Sequence, residues 1–369
     1  MARWLRSRGP LGRLLLGWAA CLAVLLLAVP LGQRVAAATT ALRFLAEFLT
    51  DGARPWLSAS TRPPLRESRA LAPGAVADLW RPADRPPHPA VVLVHGLTPD
   101  GKDDPRLARA ADLLARAGFL VVVPDLPEMR AQRLRPGDAA GVAGALEHAA
   151  RRRGEVAILA ISVGSGPALA AAVEAPAARR VRVVVTLGGY ADARELVRYF
   201  TTGAYGFRGI AGRAPFDPAL ARAFLVSNLD LVRDPSGRAA VQAALGGRPL
   251  PASTGAEARA VLAVLENRDP ERVDRLLAAL PPETQALLDA LSPVRDVGRL
   301  RARLVLVHGR DDPAIPFTES LRLAAAAEPG RTRLVLVDLL AHVEGRSPAW
   351  QQARDLVWLW SAVYELFRG

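Results

Sequence analysis

One serine, a pair of adjacent aspartates and a late histidine carry the chemistry open to this sequence. Ser162 lies in Ala160-Ile161-Ser162-Val163-Gly164, where an apolar run of strand character, Val156 to Ile161, stops and an alanine-rich helical pattern starts at once. The serine therefore sits on a tight strand-to-helix turn. Ala160 and Gly164 have to be small, because the two backbones nearly touch there. The usual form of such a turn is G-x-S-x-G, and alanine at its first position adds one methyl. Acyl transfer by a serine needs a base for its proton, a carboxylate to hold that base, and two backbone donors for the oxyanion. Candidates follow three other apolar runs. The acidic pair Asp311-Asp312 comes after Leu304 to Val307, and His342 after Leu334 to Asp338. His95-Gly96-Leu97 comes after Ala90 to Val94, the glycine letting the Leu97 amide turn into the site. Taken alone, an A-x-S-x-G is more often a plain small-residue turn.

The elements that must position these residues alternate. Glu67 to Arg81 gives two short strand-like pieces around Pro73-Gly74. Ala90 to Val94, Phe119 to Val123, Val156 to Ile161 and Val181 to Leu187 are strand-like, and helical patterns at Arg106 to Ala117 and Asp138 to Arg152 fall between them. This is an α/β pattern, a mostly parallel doubly wound sheet, whose sites lie at the carboxyl ends of the strands. The alternation stops between Gly188 and about Ser292, where helical Ala/Leu/Arg patterns take over. A stretch of that length, leaving a strand whose carboxyl end faces the site, predicts a helical cap at about 190–290. Tyr190, Tyr199, Phe200, Tyr205 and Phe207 cluster at its start in a chain with 5% aromatic residues. They either line an apolar substrate pocket or hold the cap to the body. A final helix, Ala349 to Phe367, carries Ala353, Leu356, Trp360 and Val363 at core-facing spacing.

At the other end, Arg3, Arg6, Arg8 and Arg13 precede an uncharged run, Leu14 to Leu31, long enough to cross a bilayer. An uncleaved signal anchor is favoured by the length of the run; a signal peptide cleaved near Ala36-Ala37-Ala38 is the alternative. The positive flank places the rest of the chain outside the cytoplasm, held at the membrane in the first case and secreted in the second. The expected organisation is an anchor at 1–38, a stalk and proline-rich linker at 39–66, and one catalytic domain at 67–369. Thr39 to Leu49 has helical apolar spacing, suited to a membrane surface or to packing on the domain.

A chain of 369 residues, 51% hydrophobic, can bury a large core. Its charge of +12 comes from arginine, with Lys102 the only lysine, spread along alanine-rich stretches rather than gathered with aromatics. That pattern argues against a nucleic-acid face. Cys21 is the single cysteine, so neither a disulfide nor a cysteine zinc site is expected.

Val94-His95-Gly96, the Ser162 turn, Gly309-Arg310-Asp311-Asp312-Pro313 and His342, in that order, resemble the α/β-hydrolase superfamily and, within it, its esterase and dienelactone-hydrolase-like branch. The similarity covers Glu67 to the C-terminus, without the insertion. It implies Ser162 as nucleophile, His342 as general base and Asp312, the fourth residue of Gly-x-x-Asp, as orienting acid in place of Asp311. It also implies an oxyanion hole from the amides of Leu97 and Val163, with neither cofactor nor metal. The function implied is a serine hydrolase, a carboxylesterase acting on a small-molecule ester. A serine peptidase and a non-catalytic binding protein of the same fold are the alternatives. Nothing repeats at the length of a propeller blade, the kind of recognition domain a peptidase would use. His95 and His308 are expected to shape loops or line the pocket, and His88 and His148 to be solvated. Turn and cap roles account for Asp100, Asp103 and Asp104 without a cation.

Overall fold

The structure is a computed structural model that describes residues 10–71, 74–87, 89–214, 223, 226–338 and 349–368, with side chains described from 29 onward except that of Ala349. Helix α1 (Pro10–Leu49) leads to the hairpin β1 (Leu65–Leu71) and β2 (Ala75–Arg81). Then come β3 (Ala90–Val94), α2 (Pro105–Arg116), β4 (Leu120–Pro124), α3 (Pro127–Arg130), α4 (Asp138–Arg153), β5 (Val156–Ile161), α5 (Ser165–Glu174) and β6 (Val181–Leu187). The insertion holds α6 (Ala193–Thr202), the hairpin β7 (Ala204–Phe207) and β8 (Ile210–Arg213), α7 (Pro235–Leu245), α8 (Ala256–Glu266), α9 (Val273–Ala278) and α10 (Pro282–Ala290). The chain closes with β9 (Arg303–Gly309), α11 (Thr318–Ala326), β10 (Thr332–Val337) and α12 (Ala349–Phe367).

Eight strands form one sheet in the order β1-β2-β4-β3-β5-β6-β9-β10. Strand β2 is antiparallel to both β1 and β4, and every later pairing is parallel. The central strands are unbroken apolar runs because helices cover both faces. Val92, Val94, Ile158 and Ala160 point to the side of α4 and α5, while Val91, Leu93, Ala157 and Leu159 point to the side of α1, α2 and α12. Asp104 starts α2 as its N-cap, accepting from the amides of Arg106 (2.9 Å) and Leu107 (3.2 Å), with Pro105 in the first turn.

One open alternative is resolved and two sequence expectations change. Thr39 to Leu49 is part of α1 and packs on the domain, with Ala41, Phe44 and Leu45 buried beside α12. The proline-rich stretch is pinned rather than free: Leu57 is buried, and Glu47 accepts from the amides of Leu57 (2.7 Å) and Ser58 (3.0 Å). In α12 the buried stripe is Asp355, Leu359, Ala362 and Leu366, and Leu356 is exposed. The buried stripe is shifted by one position from the expected one: Trp360 and Val363 pack partly buried at its border, while Trp350 and Trp358 face outward.

Among the described residues no helix is long and apolar enough to cross a membrane. Most of the Leu14 to Leu31 segment lies outside the residues whose side chains are described. The insertion is helical as expected, with the added β7–β8 hairpin, and has its own small cores around Val241 and Leu265 and around Val273 and Leu277.

Candidate active site

Ser162 has a φ of +54°, in the left-handed region that serine rarely occupies. The strand ends at Ile161, a single 3-10 turn covers Ser162–Gly164, and α5 follows directly. Close packing holds the turn in this state. A Cβ on Gly164 would lie 2.2 Å from the His95 carbonyl oxygen, and one on Gly96 would lie 3.1 Å from the Ser162 Cβ. The strain, about 1–3 kcal/mol for such a backbone, has to be offset by that packing. A serine raised on a strained strand-to-helix turn at the carboxyl end of a central strand, in a sheet of this order, decides the architecture. The chain has the α/β-hydrolase fold.

In a hydrolase fold the register of the strands determines which loops meet. Val94 pairs with Ala160, Ala160 with Thr186, Thr186 with Leu306, and Val337 with Gly309. Residues 95–98, Ser162, Gly188, the loop 309–317 and Asp338 therefore emerge along one edge. Of the two aspartates, Asp312 is the one built in. Its Oδ1 accepts from the amides of Ala314 (2.8 Å) and Ile315 (3.1 Å), while Asp311 is exposed. Its Oδ2 accepts no hydrogen bond among the described residues and faces Gly188, where a Cβ would lie 2.9 Å from it.

His308 lies 3.7 Å from Asp312 Oδ2, yet both its ring nitrogens are already used. Nε2 donates to the Ile315 carbonyl (2.9 Å), so Nδ1 accepts from the Ser320 hydroxyl (2.7 Å). Burial lowers its pKa against the pull of Asp312, and it stays a neutral brace of the loop. His95 is also buried with a lowered pKa, its Nδ1 donating to the Gly96 carbonyl at 2.8 Å. His148 is buried in α4, not solvated, and burial lowers its pKa too. Leu97 is half-buried and Val163 buried. His342 and His88 lie outside the described residues.

The five aromatics divide. Tyr190 and Tyr199 are fully buried and their hydroxyls are spoken for, Tyr190 donating to the Leu291 carbonyl and Tyr199 to that of Pro313. Tyr190 thereby joins the two ends of the insertion, and Tyr199 ties the insertion to the loop of Asp312. Burial and the nearby charge of Asp312 push Tyr199 up to about 12. Phe200, Tyr205 and Phe207 are half-buried; Tyr205 meets Phe317 edge-on, and Arg322 sits 4.9 Å from the Phe207 ring.

One residue that the sequence did not mark is Glu319. It is buried at the start of α11 and accepts from the amides of Ala191 (3.0 Å) and Asp192 (2.9 Å), with Arg322 Nε 3.3 Å away. Burial raises its pKa to about 7. It fastens the loop of Asp312 to the start of the insertion, and no sequence motif announces it. An apolar cavity of about 120 Å³ lies within the insertion, between Leu196, Val232, Val264 and Leu277. A second, more polar one lies between Asp138, Gly166 and Tyr190. Among the described residues, neither is lined by Ser162 or Asp312.

No protein-family model matches the chain, and no curated protein is similar in sequence. Among solved structures it is similar to the acylaminoacyl peptidase of Pyrococcus horikoshii, at 14% identity and a TM-score of 0.44, over 76% of this chain and 38% of that one. It therefore spans well under half of the peptidase. The meta-cleavage product hydrolase of Pseudomonas fluorescens IP01 gives 20% identity and 0.41 over 82% of this chain and 97% of that one. The 2-hydroxy-6-oxo-6-phenylhexa-2,4-dienoate hydrolase of a Rhodococcus species gives 21% and 0.39, over 74% and 90%. The fold assignment rests on strand order and the Ser162 turn, not on these similarities.

Proposed function

We propose that the protein is a serine hydrolase acting on carboxylic esters and held at the membrane by Leu14 to Leu31. The strained turn at Ser162 carries the reading. A strain of this kind persists where it aims a nucleophile, and a binding module has no use for it. Ser162 Oγ attacks the ester carbonyl while His342 takes its proton, and Asp312, through its open Oδ2, holds the imidazole. The amides of Leu97 and Val163 receive the oxyanion, the alcohol leaves with the proton, and water resolves the acyl-enzyme.

A fluorophosphonate probe tests this directly: it should label the purified protein at Ser162 and fail to label Ser162→Ala. An unlabelled wild-type protein sinks the proposal. Asp312→Asn should lower kcat by about 10⁴, the order seen when an orienting carboxylate is lost, and Asp311→Asn should do little.

A further inference from the structure

Two helices determine which edge of the molecule the tether leaves from. Helix α12 begins at the carboxyl end of β10, where the Asp338 amide donates to Asp355 at 2.7 Å and the Asp338 carboxylate accepts from Gln351. It finishes at the amino ends of the strands. There Arg182, in β6, donates to the carbonyls of Glu365 (2.8 Å) and Arg368 (2.7 Å), and Arg303, the first residue of β9, pairs with Glu365 at 3.3 Å. Helix α1 runs beside it in the same direction. Trp360 Nε1 donates to the Ala38 carbonyl at 2.8 Å, and further along the Phe44 and Phe367 rings lie 5.8 Å apart. The chain therefore joins the body from the carboxyl-end edge, the edge that carries Ser162 and Asp312.

The heights also agree. About ten residues of helix, roughly 15 Å, separate Trp350 from Trp360, and the same distance back along α1 from Ala38 reaches the end of the Leu14 to Leu31 run. From that level toward the body the two helices carry exposed apolar side chains: Trp350, 67% exposed, then Val357 and Trp358 about 10–12 Å further along α12, with Leu31 and Val35 on α1. The Arg354 guanidinium lies 5.7 Å from the Trp350 ring and 5.1 Å from that of Trp358. Exposed tryptophan at the foot of an apolar span is what a membrane interface is enriched in.

We propose that the carboxyl-end edge of the sheet faces the bilayer, with Trp350, Val357 and Trp358 seated in its interface, and that the substrates are esters partitioned into the membrane. This rests on the tethered hydrolase reading. A tether leaving from the opposite edge would turn Ser162 toward water. Leaving from this edge, it brings Ser162 close to lipid, where an apolar ester is concentrated.

The test uses the full chain with Cys21→Ser and a polarity-sensitive fluorophore on Val357→Cys, reconstituted in phosphatidylcholine vesicles containing nitroxide lipid. The reference site is Arg179→Cys, exposed just before β6 at the other edge. The 357 probe should shift to the blue and be quenched several-fold more than the 179 probe. Equal, water-like signals in floated vesicles overturn the orientation. Protein that does not float overturns the tether along with it. A blue shift without vesicles marks contact between copies and overturns the lipid occupant. In a second arm, Trp350→Ser with Trp358→Ser should lower kcat/KM about tenfold for a long-chain ester dissolved in vesicles and leave a short soluble ester unchanged. Equal effects on the two esters overturn the substrate class. Loss of both activities in the wild type refutes the hydrolase reading, while the quenching result still decides the orientation.

Discussion

At the scale of single residues, two side chains sit in states that the fold imposes on them. The φ of +54° at Ser162 suits glycine far better than serine. Ser162→Gly should therefore raise stability, by about 1 kcal/mol once the 1–3 kcal/mol of relieved strain is set against the entropy that glycine adds to the unfolded chain. Ser162→Ala keeps the strain and should match the wild type. Urea unfolding of the three proteins decides the matter, and a glycine variant no more stable than the alanine variant would show that the turn is not strained. Glu319 is held by burial at about 7, above the 4.5 of a free carboxyl. The folded protein therefore binds this proton more tightly than the unfolded chain does. That contribution is fully present below about pH 4.5 and is lost as pH rises through about 7, up to an order of 3 kcal/mol. Glu319→Gln should flatten the decline in stability across that window. Should the slope persist in the variant, the proton sits elsewhere, with Asp138, raised by burial to about 6, as the next candidate.

At the scale of elements, α1 has two parts with different jobs. Residues 29–36 are exposed, while Ala41, Phe44 and Leu45 fill a groove against α12 and α2. Removing residues 1–36 should leave the body folded, with a melting temperature within a few degrees of the full chain. Removing 1–49 uncovers that groove and takes away Glu47, which holds Leu57 and Ser58. This shorter chain should be insoluble or melt more than 10 °C lower, on the order expected when several kcal/mol are lost. Phe44→Ala alone should cost about 3–5 kcal/mol. A well-behaved 50–369 fragment would show that the contact is incidental.

At the scale of the whole molecule, the insertion is a partly independent body tied down at a few points. Arg135 reaches Asp230 with two hydrogen bonds (2.6 and 2.8 Å) and Asn228 with a third (2.7 Å), and Val294 N donates to the Ala191 carbonyl at 3.0 Å. Tyr190, Tyr199 and Glu319 supply the buried ties. The Arg135 contact is partly exposed, so its loss should hardly move global stability. Arg135→Ala should instead make limited proteolysis of the insertion several-fold faster, since local opening needs only the local ties. Unchanged cleavage would mean that the buried ties hold it by themselves.

What the sequence determined by itself was whatever depends on near neighbours. Val156 to Ile161 had to be a strand covered on both faces, Ser162 had to sit on a tight turn, and Asp104-Pro105 had to open a helix, because period, small flanks and capping are local properties. The β/α order followed from the same signals. The tertiary structure decided everything that depends on what arrives from far along the chain. The clamping contacts of Tyr190 and Tyr199 depend on the carbonyls of Leu291 and Pro313, which the fold brings to their hydroxyls from about a hundred residues away. The structural role of His308 became definite only when Ser320 and Ile315 took both its ring nitrogens, and Glu319 gained its high pKa only through tertiary burial, which outweighs the lowering by the Ala191 and Asp192 amides. The outward face of α12 depended on α1 packing beside it. Burial is a property of the partner as much as of the residue, and the partner is chosen by the fold.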